Sequence, residues 1–258
     1  MEYKRYDTDI DCVKQKLKNY GIAVIPKVLV KAQCEYIRNE ILKSVGTITP
    51  HSQVCWDIRQ YPKVVEVFAK IWETYNDCMI TSFEDVIVNT GGGDDDPNFH
   101  ADQSISKKGF TCVQGMLTLL PIREGDATIQ VIEDSHIIHD TIFYDALKMP
   151  NGYETDVDSY IEKGCKIFNV KADAGSLILW DSRTVYTRVS SQRTGYQMIS
   201  RLCMIPRDRF TPEQLMKKRD AMDNLYSTTH WPSRVIKSDG KDCKKPDLTP
   251  LGYRLAGF

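Results

Sequence analysis

Between residues 79 and 206 the chain reads as a succession of strands without helices alternating between them. MITSFEDVIVN, TCVQGMLTLLP, ATIQVIE, KIFNV, GSLILWDS and QMISRLCMIP are short apolar and β-branched runs, separated by Gly, Asp, Asn and Pro. Parallel strands need long crossovers, usually helical, so strands this closely spaced predict an antiparallel sandwich or barrel. GGGDDDPN at 91–98 breaks the pattern as a loop. Its glycines precede no helix, which argues against a phosphate cradle.

Helical patterns flank this β region. Asp7 or Thr8 is expected to cap a helix with Ile10, Val13 and Leu17 on one face and Gly21 as its stop. IAVIP at 22–26 follows as a short strand. A second helix carries Cys34, Ile37, Ile41 and Val45, and a third carries Val64, Val67, Phe68, Ile71 and Trp72. After the strands, Thr211, Pro212 and Gln214 spell a helix start with a capping box. The tail from 227 onward is expected to be irregular and packed over the rest. No repeat and no linker interrupts the chain, so we expect one domain over 1–258. Its parts are a mostly helical 1–75, a β core at 79–206, and a helix with an irregular tail at 207–258.

Composition excludes several function classes. The net charge is −1, with 41 % apolar and 27 % charged residues, an ordinary soluble balance. It predicts neither a nucleic-acid nor a membrane partner. The basic stretch KSDGKDCKK at 237–245 is broken by acids and reads as a solvated loop. No apolar run approaches the roughly 20 residues that span a bilayer, and MEYKRYDTDIDCVKQ lacks the apolar segment of a secretory signal. Eight cysteines include no C-x-x-C pair. They predict reduced thiols in a cytoplasmic protein.

Chemistry has few candidates. The histidines are 51, 100, 136, 139 and 230. FHADQS sets His100 and Asp102 two residues apart, so on a strand both point to one face and can reach one ion. With a second histidine from another strand they would make a facial triad suited to Fe(II). Alone the motif is weak: five histidines among 35 acidic residues give roughly 0.7 such spacings by chance.

The order of segments adds weight. GIAVIPKVL, VCWDIRQYPKVVEVFAKIW, FHADQS, GFTCVQGMLTLLP, DATIQVIEDSH, GSLILWDSRTVY, RLCMIPRDRFTPEQL and STTHWP follow one another along the chain. This succession resembles the phytanoyl-CoA dioxygenase-like branch of the Fe(II)/2-oxoglutarate oxygenases. The resemblance covers most of the chain. It implies a mainly β, α+β fold, a double-stranded β-helix (the cupin-like jelly roll) with flanking helices. It also implies Fe(II) and 2-oxoglutarate as cofactors and a small-molecule substrate.

Residue by residue, the resemblance assigns His100 and Asp102 as metal ligands. The position of its second histidine is Tyr186, and that of its 2-oxoglutarate arginine is Gln197. A neutral amide cannot reproduce the bidentate guanidinium–carboxylate fork. Arg193 and Arg201 share strand parity with Gln197 and could hold the co-substrate, each about 13 Å away along a strand. Tyr186 could ligate as a phenolate only if its ordinary pKa near 10 fell by several units, which a ferric ion favours more than a ferrous one. Gln114 in CVQG is a further co-substrate contact or a satisfied core amide.

The remaining candidates have structural readings. His136 and His139 are expected in a hydrogen-bonded turn, and His51 and His230 as structural or surface residues. Arg59 and Arg183 fit internal salt bridges or an anionic substrate. Ser182 lacks a histidine base and the G-x-S-x-G elbow. Three functions stay open: an Fe(II)/2-oxoglutarate-type oxygenase, a non-catalytic binding module on the same fold, and a metal enzyme with a tyrosine ligand and no 2-oxoglutarate.

Overall fold

The computed structural model describes residues 4–44, 48–89, 98–104, 107–139, 157–192, 197–237 and 244–258. Its helices are α1 (Val13–Tyr20), α2 (Lys31–Lys43), α3 (Gln53–Arg59), α4 (Pro62–Trp72), α5 (Val157–Glu162), α6 (Pro212–Asp223) and α7 (Pro250–Leu255), with a further helical turn at 135–139. The strands are β1 (Ile22–Ile25), β2 (Met79–Thr81), β3 (Val86–Asn89), β4 (Val113–Thr118), β5 (Thr128–Glu133), β6 (Lys166–Asn169), β7 (Leu177–Asp181), β8 (Tyr186–Val189), β9 (Gln197–Pro206), β10 (Ser227–Thr228) and β11 (Val235–Ile236).

Two antiparallel sheets carry the architecture. The larger runs β1-β7-β4-β9, where β9 pairs β3 along its first residues and β2 along its last. The smaller runs β6-β5-β8, and His100 extends it through a bridge to Tyr186. Along the chain, β3 lies in the large sheet, the His100 segment in the small one, β4 in the large and β5 and β6 in the small. Strands β7, β8 and β9 then alternate large, small, large.

The core explains the strand patterns. Strand β7, LILWD, is buried along its whole length because both faces of the large sheet are covered. Leu177 and Leu179 join the helix-side core with Phe68 and Ile71 of α4, while Ile178 and Trp180 face the inter-sheet core with Met116, Ile129 and Val131. A two-sided environment replaces alternation with a continuous apolar run. Helix α4 lies close on the sheet at Gly115, where an added Cβ would meet Phe68 Cζ at 2.8 Å and the Leu202 carbonyl at 3.1 Å.

Local signals held at some ends and failed at others. Gly21 stops α1 with φ of 74°, and Thr211 and Gln214 form their capping box on α6. Asp7 and Thr8 do not cap α1: Asp7 bridges Val24, and Asp9 accepts the Cys12 amide at 2.8 Å. Pairing with β1 outcompetes a local cap. The sequence pattern also missed α3, and the tail contains the β10–β11 hairpin and α7 instead of being wholly irregular. Val45, the loop at 91–97 and Arg193 lie outside the described residues. No described helix is long and apolar enough to cross a membrane.

Candidate active site

The small sheet delivers the H-x-D segment to Tyr186. His100 and Tyr186 exchange both backbone hydrogen bonds at 2.9 Å, which fixes their register. Gln103 then anchors the following turn. Its amide nitrogen donates to the Lys107 and Gly109 carbonyls, and its oxygen accepts from Ser182 Oγ at 2.8 Å and from Thr111. Sequence reasoning passed over Gln103, whose role depends on partners that the chain brings together only on folding.

Asp102 ends up between two sheets with its side chain 8 % exposed. Its Oδ1 accepts from the Tyr186 hydroxyl at 3.3 Å and lies 3.9 Å from His230 Nδ1. Among the described residues, its buried Oδ2 has no hydrogen-bond partner. The His100 ring lies 4.7 Å from that of Tyr186, and the Trp180 ring 5.3 Å from it on another side. Burial, followed by the charge of Asp102, holds the Tyr186 phenol well above its ordinary pKa. Tyr186 is therefore a protonated donor to the carboxylate.

These side chains line a cavity of about 470 Å³ between the sheets. The size falls within the range of roughly 300–1,000 Å³ typical of small-molecule pockets. Gln197 and Arg201 of β9 also line it, with Ile199 between them. Gln197 donates weakly to the Pro121 carbonyl at 3.4 Å, and its buried Oε1 has no partner among the described residues. Arg201 Nε lies 3.7 Å from Glu84. Arg188, two residues beyond Tyr186 on the same face of β8, brings a second guanidinium to the lining. Parity alone could have flagged it.

The structure thus brings together His100, Asp102, Tyr186, Gln197 and Arg201 around one space. Gln114 stands apart: it faces Trp180 across the sheet and is not part of the lining. His230 arrives from the turn after β10, placed by a tertiary contact that its neighbours Trp231 and Pro232 do not advertise. Arg59 sits fully buried, donating to the Pro50 and Glu84 carbonyls. Arg183 pairs with Asp181 through two contacts, of 3.1 and 2.7 Å. His51 and His136 each donate Nε2–H to a main-chain carbonyl, of Tyr226 at 2.8 Å and of Lys18 at 2.9 Å.

The family pattern would ask this site to hold iron and 2-oxoglutarate. A facial triad needs three protein donors converging on one point. Here the third strand position is a protonated phenol already committed to Asp102. Among the described residues, no group of three His, Cys, Asp or Glu side chains could hold a metal ion. Gln197 offers an amide where a guanidinium would be needed. As they stand, the described residues do not complete that set.

Comparisons with known proteins place this geometry. No protein-family model matches the chain. Ava biosynthesis cluster protein O of Aspergillus versicolor is 25 % identical over 211 residues, covering 76 % of this chain and 68 % of that protein. The crystal structure of the epimerase SnoN, in complex with Fe3+, alpha ketoglutarate and nogalamycin RO, superposes with a TM-score of 0.59 at 12 % identity, covering 76 % of this chain and 83 % of that one. GIG2 (DUF1479) of Candida albicans superposes with a TM-score of 0.70 at 14 % identity, covering 95 % of this chain and 75 % of that one. At these identities the structural likeness speaks to the fold: two antiparallel sheets with flanking helices, shared with non-haem iron, alpha ketoglutarate-dependent enzymes.

Proposed function

We propose that the chain is a phytanoyl-CoA dioxygenase-like protein, a single cytoplasmic domain on the double-stranded β-helix, that binds a small organic molecule without a catalytic iron. The hydrogen bond from Tyr186 to Asp102 carries this reading. A phenol fills the position from which an imidazole would complete the ligand set, and burial keeps its proton in place. The alternation of strands between the two sheets supports the β-helix, and the burial of Cys34, Cys55, Cys112, Cys165 and Cys203 in the core suits the cytoplasmic reading.

A second reading keeps turnover. His100 and Asp102 are retained beside a small-molecule cavity, and SnoN, which shares the fold, is described in complex with Fe3+ and alpha ketoglutarate. On that reading the chain is an Fe(II)/2-oxoglutarate-type oxygenase hydroxylating a small molecule, with Gln197 and Arg201, and Arg193 outside the described residues, holding the co-substrate.

Anaerobic titration with Fe(II) and 2-oxoglutarate followed by absorbance, and then admission of O2 with a succinate assay, separates the two. The binding reading expects no stoichiometric metal and no succinate. A charge-transfer band with succinate formation would overturn it in favour of the oxygenase. A tyrosinate band that disappears in Tyr186→Phe would overturn it in favour of a tyrosine-ligated metal enzyme.

A further inference from the structure

Two thiols meet just beyond the cavity wall. The Sγ atoms of Cys112 and Cys203 lie 3.3 Å apart, although 91 residues separate them in the chain. Strand register brings them together. Met116 of β4 pairs with Arg201 of β9 and both line the cavity, while two residues along Gln114 pairs with Cys203. Cys112 lies two residues before Gln114 and so shares its face. Their chain neighbours Val113, Leu202 and Met204 turn to the helix-side core. The two cysteines turn the other way, to join Ile80, Ile205, Phe210 and Trp231. Both are fully buried and carry free thiols.

A disulfide holds its sulfurs about 2.0 Å apart, so closing this pair asks for an approach of about 1.3 Å. Burial, followed by the contact with Cys112, keeps the Cys203 sulfur in its thiol form. The first step of any oxidation is therefore slow and needs a small uncharged oxidant. The second step is not limited in this way, because the partner sulfur already stands in place.

A bridge here would act on a turn that belongs to the cavity. The Cys112 carbonyl accepts the Ser182 amide at 3.0 Å, and the Ser182 carbonyl accepts the Gln103 amide at 2.8 Å. Thr111, next to Cys112, donates to Gln103 Oε1. Asp102, which directly precedes Gln103, is part of the lining. On the other side Trp231 packs with the two cysteines, and its neighbour His230 lines the same cavity.

We infer that Cys112 and Cys203 are a reversible redox pair, in which a peroxide bridges the residue preceding β4 to β9 and so tightens the Gln103 turn. One sulfur attacks a peroxide oxygen and breaks the O–O bond, leaving a sulfenic acid and, from hydrogen peroxide, one water. The second sulfur then attacks the first, and its proton departs with the sulfenic hydroxyl as a second water. The sulfurs together lose two electrons, which the peroxide gains. In a reducing compartment such bridges are transient and report on oxidant. The inference holds with or without iron in the cavity.

The test exposes the whole chain to hydrogen peroxide with a metal chelator present, then alkylates the remaining thiols in denaturant for peptide mapping. Cys112 and Cys203 are expected to escape alkylation together, as one linked pair of peptides, and dithiothreitol to return both. Backbone hydrogen exchange at Gln103 and Ser182 is expected to slow by about threefold or more in the bridged form. Cys203→Ala is expected to remove both the linked peptides and the effect of peroxide on exchange. Retention of both thiols after the exposed Cys12 is fully oxidised overturns the pair, as does a bridge from either one to another cysteine. A bridge that leaves exchange at Gln103 and Ser182 unchanged overturns the coupling to the turn. Should Cys203→Ala fail to fold, mapping and exchange on the native chain still decide both points.

Discussion

The hydroxyl of Tyr186 stands 3.3 Å from Oδ1 of Asp102, and among the described residues no other side-chain hydrogen bond reaches that carboxylate. The phenol serves as the carboxylate's donor in the space where an imidazole and a metal would otherwise meet. Removing the hydroxyl strips a buried charge of its hydrogen bond, which costs about 1–3 kcal/mol. Tyr186→Phe should therefore lower stability by that amount in urea denaturation, with the denaturant dependence unchanged. Asp102→Asn combined with Tyr186→Phe should recover part of the loss, because the unpaired charge is then gone.

Restoring the missing groups asks how much of an iron site remains. Tyr186→His together with Gln197→Arg supplies an imidazole at the strand position beside His100 and a guanidinium opposite it. If His100 and Asp102 still hold ligand geometry, the double variant should bind Fe(II) at least tenfold more tightly than the parent and take up 2-oxoglutarate with it. Calorimetry with each single change as a control measures this. No gain would mean that the surrounding cavity has departed further from a metal site than these two positions.

The parts of the molecule legible in the sequence are those set by local chemistry or by burial on a strand. LILWD reads as buried because β7 is covered on both faces, and Thr211 with Gln214 closes its capping box within one turn. His100, Asp102 and Tyr186 came forward through their spacing and neighbours, and they do meet at one cavity. What was hidden depends on distant pairing. Asp7 looks like a cap but is captured by Val24. His230 looks structural until the β10–β11 turn sets it against Asp102. Gln103 has no local signal at all, because its partners lie on both sides of a turn and on the strand-end residue Ser182.

His51 provides the clearest dependence on pH. Its ring is fully buried, with Nε2 2.8 Å from the Tyr226 carbonyl and Nδ1 accepting from Trp56 Nε1 at 3.4 Å. Both nitrogens are thus used by the neutral tautomer, and burial pushes the pKa from 6.5 down to about 3. The unfolded chain takes up a proton below pH 6.5 that the folded chain refuses until about pH 3. The contribution to stability is present above the unfolded pKa and declines as pH falls, by about 1.4 kcal/mol per unit in that window. Unfolding at pH 5 should take up about one proton at this residue, and the His51 ring resonance should stay at its neutral position from pH 7 to 4. A normal titration midpoint near 6.5 would show that the ring is not held as described.

Lys218 of α6 is the other buried cationic group whose removal has a definite sign. Its ammonium position lies 3.1 Å from the centroid of the Phe83 ring, fully buried and without a hydrogen-bond partner among the described residues. Burial, with repulsion from Arg59, pulls its pKa well below the ordinary lysine value. The unfolded chain therefore binds a proton at neutral pH that the folded chain holds poorly, so the group costs stability there and less as pH rises. Lys218→Met keeps the length and apolar stem of the side chain while removing the amine. Replacement of poorly compensated buried charge by a hydrophobic residue of similar volume commonly gains about 1–4 kcal/mol. The variant should unfold at a higher temperature than the parent at pH 7, and the gain should shrink toward pH 10. A loss at pH 7 would mean that the cation over Phe83 stabilises α6 more than its desolvation costs.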